Sequence, residues 1–227
     1  MVGVHTIVIN PNSTRAVTDG IRDAVRQVPG IERLDVDYLT LAEGPPGIET
    51  DAHIRAVIPP LQALVREREA DAFVIACFSD PGVAQLRGKP VYGIGECACR
   101  AAAAGNRRFG IISILAPSVA RHRRHLERLG LAAQLAGDRP LGLSVLDLAD
   151  HTLTAERMRE VARRLVSDDG AEALVLGCAG MAAYREAVQA DIGCPVIDPC
   201  QAALQAVLRD CATPAQTALG QYPESAR

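Results

Sequence analysis

Lysine is nearly absent from this chain of 227 residues, because Lys89 is the single lysine among its 24 basic residues. A pyridoxal-phosphate enzyme needs a lysine to form the Schiff base with its cofactor. Lys89 lies in a short Arg-Gly-Lys-Pro turn before an apolar run, which is a poor position for that lysine. The sequence therefore disfavours pyridoxal-phosphate chemistry.

The sequence also lacks a long apolar run and an excess of positive charge. No run approaches the roughly 20 apolar residues that span a bilayer, and the first residues lack the basic and apolar regions of a secretory signal peptide. The formal net charge is −3 and the isoelectric point is near 6.0, which does not favour binding to nucleic acid or to an anionic membrane. We predict a cytoplasmic protein that binds neither.

Seven cysteines are present, but none of them forms a Cys-x-x-Cys pair. An odd, low count in a chain of this length indicates free thiols in a reducing compartment rather than a disulfide framework. This spacing does not support a zinc site, and we predict no metal. Five cysteines have no partner pattern and are interpreted as structural: Cys97, Cys99, Cys194, Cys200 and Cys211.

Short apolar, β-branched runs alternate with longer helical patterns, which predicts an α/β fold with mostly parallel sheets flanked by helices. The predicted strands are residues 6–9, 34–38, 73–76, 91–94, 110–114, 144–146, 174–176 and 196–197. The predicted helices are residues 16–27, 52–69, 97–104, 119–129, 155–166, 181–190 and 201–209. Ligands of such sheets bind beyond the carboxyl ends of the strands. Candidate site residues should therefore directly follow a strand.

A repeat at about half the chain length divides this pattern in two. Residues 71–77 (DAFVIAC) align with residues 172–178 (EALVLGC), and the cysteines that end the two segments are 101 residues apart. Two weaker matches pair Pro90 with Pro195 and Pro11 with Pro117. The repeat predicts two similar lobes, related by a pseudo-twofold axis, that face each other across a cleft.

The boundaries of the lobes follow from this repeat. We predict that lobe one comprises residues 1–97 together with 199–212, and that lobe two comprises residues 98–198. Residues 213–227 are interpreted as a loose C-terminal tail.

Cys77 and Cys178 end equivalent strands and precede tight loops, so the repeat places two thiols at one cleft. Backbone N–H groups at a helix start stabilise a thiolate. One thiolate can remove a proton from a carbon acid while the other thiol returns a proton to the opposite face, and such a pair titrates as a unit. The alternatives are that both cysteines are small buried hydrophobic residues, or that they form a disulfide.

The first loop, Asn10-Pro-Asn-Ser-Thr14, follows a strand and opens a helix. Its amides and hydroxyls offer donors for carbonyl or anionic oxygens. The alternative is a plain N-cap made by Ser13 or Thr14.

Further along the chain, His122 and His125 lie on an arginine-rich helix, where adjacent cations oppose metal binding. That helix face is predicted to be solvated, with an oligomer contact as the alternative.

Four motifs together resemble the hydantoin racemase family, within the aspartate/glutamate racemase superfamily. They are Asn10-Pro-Asn-Ser-Thr14, Ala76-Cys-Phe-Ser-Asp-Pro-Gly82, Pro90-Val-Tyr-Gly-Ile-Gly-Glu96 and Leu176-Gly-Cys-Ala-Gly-Met181. The resemblance extends to about residue 208. It implies a cofactor-independent, two-cysteine racemase of two α/β lobes that assembles as a homo-oligomer.

By this resemblance Cys77 and Cys178 match the acid/base pair of the family. The positions that match its substrate-holding groups are Asn10, Ser13 and the amides of Phe78, Ser79, Ala179 and Gly180. Ser113 and Ile114 fall where relatives often carry two threonines, so Ile114 is a departure from the family pattern. Cys97 and Cys99 depart in the same way, because relatives usually carry small residues there.

The residues after the two cysteines indicate the substrate class. Phe78-Ser79 and Ala179-Gly180 stand where amino-acid racemases of the superfamily carry polar pairs that hold ammonium and carboxylate groups. An uncharged edge suits a neutral cyclic ureide, so we predict inversion at C5 of 5-substituted hydantoins. Phe78 and Ile114 pack either the 5-substituent or the core.

Other activities remain open at this stage. The alternatives are an allantoin racemase, an aspartate or glutamate racemase, and a maleate-isomerase-like enzyme in which one cysteine adds covalently to the substrate. A two-lobed metabolite-binding protein without catalysis is a further alternative, but it leaves the matched thiols unexplained.

Overall fold

The computed structural model describes residues 3–86 and 88–212, so the predicted tail of residues 213–227 lies outside the described residues. The strands are β1 (Val4–Asn10), β2 (Leu34–Thr40), β3 (Ala72–Ile75), β4 (Val91–Gly93), β5 (Phe109–Ser113), β6 (Leu135–Pro140), β7 (Ala173–Leu176) and β8 (Val196–Ile197). The helices are α1 (Arg15–Val25), α2 (Asp51–Glu67), α3 (Ile94–Ala102), α4 (Ala116–Leu129), α5 (His151–Ser167), α6 (Arg185–Ile192) and α7 (Pro199–Ala212). None of the helices in this part of the chain is both long and apolar enough to cross a bilayer.

The eight strands form two parallel sheets of four strands with the same topology. The strand order is β2-β1-β3-β4 in one sheet and β6-β5-β7-β8 in the other. Equivalent backbone hydrogen bonds recur: the Ala76 N–H donates to the Ile9 carbonyl, and the Gly177 N–H donates to the Ile112 carbonyl, both at 2.8 Å. The two similar lobes predicted from the sequence repeat are therefore confirmed.

The two inner strands that precede the cysteines are apolar at every position. β3 reads AFVI and β7 reads ALVL, and all eight residues are buried. Parallel strands covered by helices on both faces have this continuous apolar character. The covering helices are amphipathic, as in α1, where Ile21 and Val25 are buried.

Two helices pack against the sheet of the opposite lobe. α3 follows β4 of the first sheet, yet its Ala98 and Ala102 lie in an apolar cluster with Phe109 of the second sheet. α7 follows β8 of the second sheet, yet its Leu204 lies in a cluster with Val8 of the first. This exchange ties the two sheets together. The predicted lobe boundaries at 97/98 and 198/199 stay a prediction.

Three local sequence expectations were wrong. The edge strand of the second sheet is β6, not residues 144–146, because LAGDRP contains the poor strand formers Gly, Asp and Pro and gives no strand signal. The match of Pro11 with Pro117 is accidental, since Pro117 lies in the first turn of α4 whereas Pro11 lies in a loop. The helix expected at 181–190 begins later, because a 3-10 helix (Ala179–Tyr184) precedes α6.

Gly95 lets α3 approach the loop that follows Cys77. A Cβ at Gly95 would overlap the Phe78 carbonyl oxygen and would lie 3.1 Å from Oδ2 of Asp80. Gly20, in the exposed face of α1, has nothing within 4 Å of such a Cβ.

This pair of helical glycines gives a matched test of the packing. We expect Gly95→Ala to lower the free energy of unfolding by about 1–3 kcal/mol through overpacking. Gly20→Ala should raise it by up to about 1 kcal/mol, since alanine is the better helix former. Urea unfolding of both variants measures the difference. Equal effects of the two substitutions would contradict this close approach.

Candidate active site

Cys77 and Cys178 line the same cavity between the lobes. Each lies just beyond the carboxyl end of its strand, Cys77 after β3 and Cys178 after β7. The cavity has a volume of about 40 Å³, and both cysteines are partly exposed, whereas Cys99 and Cys200 are buried. All seven cysteines are free. The two thiols are thus the accessible sulfur groups of this cavity.

The two cysteines occupy equivalent turns. The Cys77 carbonyl accepts from the Asp80 N–H at 2.9 Å, and the Cys178 carbonyl accepts from the Met181 N–H at 3.1 Å. The Gly180 N–H donates to Sγ of Cys178 at 3.4 Å and lowers the pKa of that thiol. The backbone N–H of Ser79, two residues after Cys77, lowers the pKa of Cys77 in the same way. A donor to sulfur stabilises the thiolate form. Each cysteine therefore has a backbone N–H in its own turn that favours the thiolate form.

Burial opposes these donors in both turns. It raises the pKa of Cys77 to about 12 and that of Cys178 to about 11. Charge on Asp80 and on Cys178 raises the pKa of Cys77 further, while the Arg121 guanidinium lowers it. A thiolate at Cys178 therefore disfavours a thiolate at Cys77.

The wall of the cavity is mostly apolar. Its apolar side chains come from both lobes: Val17, Ile48, Phe78, Ile114 and Val145. Its polar side chains include Asn12, Ser79, Ser118, Arg121 and His122. The arrangement can hold a small neutral molecule between two sulfur atoms.

Arg121 joins the lobes at the edge of this cavity. From α4 it reaches the first lobe, where Nη1 lies 3.2 Å from Oδ1 of Asp51 and Nε lies 3.2 Å from Oγ of Ser79. A second link runs from the Val145 N–H to Oε1 of Glu49 at 2.9 Å. These contacts hold the loop before α2 against the second lobe and close the cavity on that side.

Six of the residues singled out in the sequence lie on this wall: Cys77, Phe78, Ser79, Ile114, Cys178 and Ala179. Four others lie outside its lining: Asn10, Ser13, Ser113 and Gly180. Asn10 is fully buried, and its amide donates to Oδ1 of Asn12 and to Oγ1 of Thr18, each at 3.0 Å. In this conformation Asn10 therefore shapes the first loop, and Asn12 of the same loop lines the cavity. The predicted contacts with substrate stay predictions.

The expectation of a solvated face around His122 was wrong. His122 is 4% exposed, and its Nδ1 lies 2.9 Å from Oδ2 of Asp138. His125 is also enclosed, with Nε2 3.0 Å from Oδ2 of Asp80. The helical spacing of Ser118, His122 and Leu126 gave the available signal, because residues four apart share one face and all three are buried. The neighbouring arginines led instead to the prediction that this face is solvated.

Asp80 organises the loop that follows Cys77. Its carboxylate accepts from the Gly95 N–H at 2.8 Å and from the Glu96 N–H at 2.7 Å, and so satisfies two donors at the start of α3. The contact with His125 adds a third partner from the opposite lobe. The turn at Cys77 is thereby fixed by both lobes.

The matched thiols, the duplicated turns and the cleft agree with one protein family. The Asp/Glu/Hydantoin racemase family model matches residues 7–207.

The chain belongs to this family.

It is therefore a racemase that acts on a small molecule. It is 36% identical over 209 residues to a hydantoin racemase from Paenarthrobacter aurescens, and the alignment covers 88% of each chain. Its fold is similar to that of an allantoin racemase from Klebsiella pneumoniae, with a TM-score of 0.82, 33% identity and coverage of 92% of this chain and 88% of that one. An allantoin racemase from Pseudomonas fluorescens gives a TM-score of 0.84 at 25% identity, with 98% of both chains covered.

Asp198 is a buried carboxyl group whose negative charge affects the pKa of Cys178. It is 2% exposed, and its Oδ1 accepts from the Gln201 N–H at 2.8 Å. Among the described residues no donor reaches its Oδ2. Burial raises the pKa of Asp198 to about 6, against the backbone donors of Gln201 and Cys200. Its negative charge in turn raises the pKa of Cys178.

The raised pKa makes stability fall as pH rises. Asp198 holds its proton more tightly in the folded chain, with a pKa of about 6 against 3.8 for the unfolded chain. Stability therefore falls as pH rises from about 4 to about 6, and this loss is complete above that range. We expect the stability of Asp198→Asn relative to wild type to increase by about 2 kcal/mol from pH 4 to pH 8. Urea unfolding across this range measures it, with the exposed Asp19→Asn as control. A pH-independent difference would contradict the burial of this charge.

Proposed function

We propose that this racemase inverts the C5 stereocentre of 5-substituted hydantoins with Cys77 and Cys178 as its acid/base pair and without a cofactor. The observation that carries the proposal is the placement of two thiols, from equivalent turns of two lobes, on one cavity. A racemase needs a proton acceptor on one face of the substrate and a proton donor on the other, and these thiols supply both.

The reaction proceeds in two proton transfers. One cysteine, as thiolate, takes the C5 proton and becomes a thiol, and the electron pair moves into the ring to give a planar enolate. The other thiol gives its proton to the opposite face of C5 and becomes a thiolate. The product is the mirror image, and the enzyme is then set for the reverse direction. The N–H groups of Ser79 and Gly180 stabilise whichever sulfur carries the charge.

The apolar side chains of the wall support a hydantoin-type substrate with an apolar 5-substituent. Ile48, Phe78, Ile114 and Val145 line the same cavity as the two cysteines, and none of them offers a polar side-chain group. The fold similarity to allantoin racemases favours a second candidate, allantoin, which carries a polar ureido group at C5. Because a buried polar group without partners is costly, the apolar wall ranks the alkyl substituent first.

Substrate entry requires a larger cavity. Ligand pockets typically measure about 300–1,000 Å³, whereas this cavity has about 40 Å³. We propose that the contacts of Arg121 with Asp51 and of Val145 with Glu49 loosen when substrate enters, so that the lobes separate at this edge.

Homo-oligomeric assembly and a cytoplasmic location are part of the same proposal. A groove of about 550 Å³ between α1 and the turn after Cys178 runs beside Leu146, which is 56% exposed. An exposed apolar side chain at such a groove is compatible with a subunit contact.

Substitution of either cysteine tests the mechanism. We expect Cys77→Ser and Cys178→Ser each to lower racemisation of a 5-alkyl hydantoin by about 10²–10⁴-fold, the usual contribution of general acid–base catalysis. Wild type should incorporate solvent deuterium at C5 of either enantiomer without metal or cofactor, whereas each single variant should exchange one enantiomer at most. Polarimetry and NMR measure both. Cys194→Ser serves as control, and full racemisation by both catalytic variants would refute the assignment.

Ile114 tests the preferred substituent. We expect Ile114→Thr to raise the kcat/KM ratio of allantoin to 5-isopropylhydantoin by about tenfold, because a hydroxyl can then pair with the ureido group. Ile114→Val, which keeps the wall apolar, should leave the ratio near its wild-type value. If the ratio is unchanged in Ile114→Thr, Ile114 does not contact the 5-substituent.

A further inference from the structure

A buried polar cluster of Ser113, His122 and Asp138 adjoins the cavity. Nδ1 of His122 lies 2.9 Å from Oδ2 of Asp138 and 3.2 Å from Oγ of Ser113, and Ser113 also donates to Oδ1 of Asp138. The side chains of His122 and Asp138 are 4% and 2% exposed. The cluster joins the end of β5, helix α4 and strand β6 of the second lobe.

The first lobe provides an internal comparison, because its equivalent corner carries a neutral cluster. Asn10 is the counterpart of Ser113, since the Leu41 N–H donates to the Asn10 carbonyl as the Leu141 N–H donates to the Ser113 carbonyl. Asn10 donates to Oγ1 of Thr18, which pairs with Oγ1 of Thr40 at 2.6 Å. This cluster too joins an inner strand, the first helix and the edge strand.

The comparison shows that the fold does not require ionisable groups at this corner. Removing a carboxylate and an imidazole from water carries a desolvation penalty that their mutual attraction only partly offsets. Two threonines and an asparagine complete the same corner in the first lobe without that penalty. The His122–Asp138 pair therefore calls for a role other than holding the corner together.

The cavity supplies that role, because His122 belongs to its wall, while Asp138 contacts the imidazole at Nδ1 and lies outside the lining. The ring of Phe78 meets the imidazole edge-on, with centroids 4.9 Å apart, and this contact fixes the ring plane. All hydrogen bonds of His122 to described side chains use Nδ1. A carboxylate only accepts, so Asp138 keeps the proton of a neutral imidazole on Nδ1 and leaves a lone pair on Nε2.

We propose that Nε2 of His122 accepts a hydrogen bond from a ring N–H of the cyclic ureide, with Asp138 as the positioning residue that sets its tautomer. The inference rests on the proposed function and assigns it a further substrate-binding residue. A ureide ring presents carbonyl acceptors and N–H donors, whereas the guanidinium of Arg121 and the backbone N–H groups of the two turns only donate. The amide oxygen of Asn12 already accepts from Asn10 and Thr14. The hydroxyl oxygens of Ser79 and Ser118 already accept from the guanidinium of Arg121. His122 supplies the missing acceptor.

N-methylated substrates test this contact directly. In wild type, methylation of the nitrogen that faces His122 should lower kcat/KM by at least about tenfold, the value of one hydrogen bond. The double variant His122→Phe/Asp138→Asn keeps a flat ring beside Phe78 and leaves no carboxylate unpaired. It should lose about tenfold on the unmethylated hydantoin, mainly in KM, and show no further loss from methylation at that nitrogen.

The conservative variant His122→Gln keeps an acceptor and should restore part of the lost activity and of the discrimination. Asp138→Asn alone should weaken the discrimination, because the tautomer is then no longer fixed. If N1-methyl and N3-methyl hydantoins are discriminated as strongly by the double variant as by wild type, His122 does not contact the ring N–H. A wild type without C5 exchange overturns the proposed function and this inference together, whereas an active wild type with unchanged discrimination overturns the inference alone.

A measurement on the unaltered protein covers the case in which the variants fail to fold. The probe is 5,5-dimethylhydantoin, which has no C5 proton to lose, added to protein labelled with ¹⁵N at histidine. We expect the Nε2 resonance of His122 to shift on binding while that of His5, exposed and remote from the cavity, stays in place. Saturation with the probe without a shift at His122 would overturn the contact.

Discussion

The structure depends on the meeting of two equivalent strand ends at one small cavity. Parallel strands deliver their carboxyl ends to one edge of a sheet, and the pseudo-twofold arrangement turns those edges toward each other. Cys77 and Cys178 thus reach one space from opposite lobes with the same turn and the same donor to sulfur. A single lobe could supply a base to one face of a carbon acid, but inversion needs both faces.

Burial and hydrogen bonding act against each other at these sulfur atoms. The closed cavity raises both thiol pKa values, while the backbone donors favour the thiolate. The surrounding wall adds little charge of its own, since the guanidinium of Arg121 is engaged by Asp51 and Ser79. The backbone donors thus act at each sulfur, where they partly offset the effect of burial on the thiol pKa.

The sequence predicted the architecture and the cysteine pair because both are carried by short, local patterns. Apolar runs mark the buried inner strands, and the match of residues 71–77 with 172–178 marks the duplication. Arg121 and His122 were not assigned to the site, because their positions depend on contacts between segments without such patterns. Asp138 lies on β6, whose glycine and proline give no strand signal, so its pairing with His122 was hidden. The link from Arg121 to Asp51 crosses the lobes and has no local signature.

The exchange of helices between the lobes bears on how the chain folds as it is synthesised. The first sheet is complete once β4 has emerged, but one of its faces is then covered only in part, by Ile21 and Val25 of α1. The rest of that face stays exposed during synthesis until Leu204 and its neighbours on α7 have emerged. Contacts between such distant segments slow folding, and the exchanged helices make the core of each lobe depend on residues from the other half of the sequence.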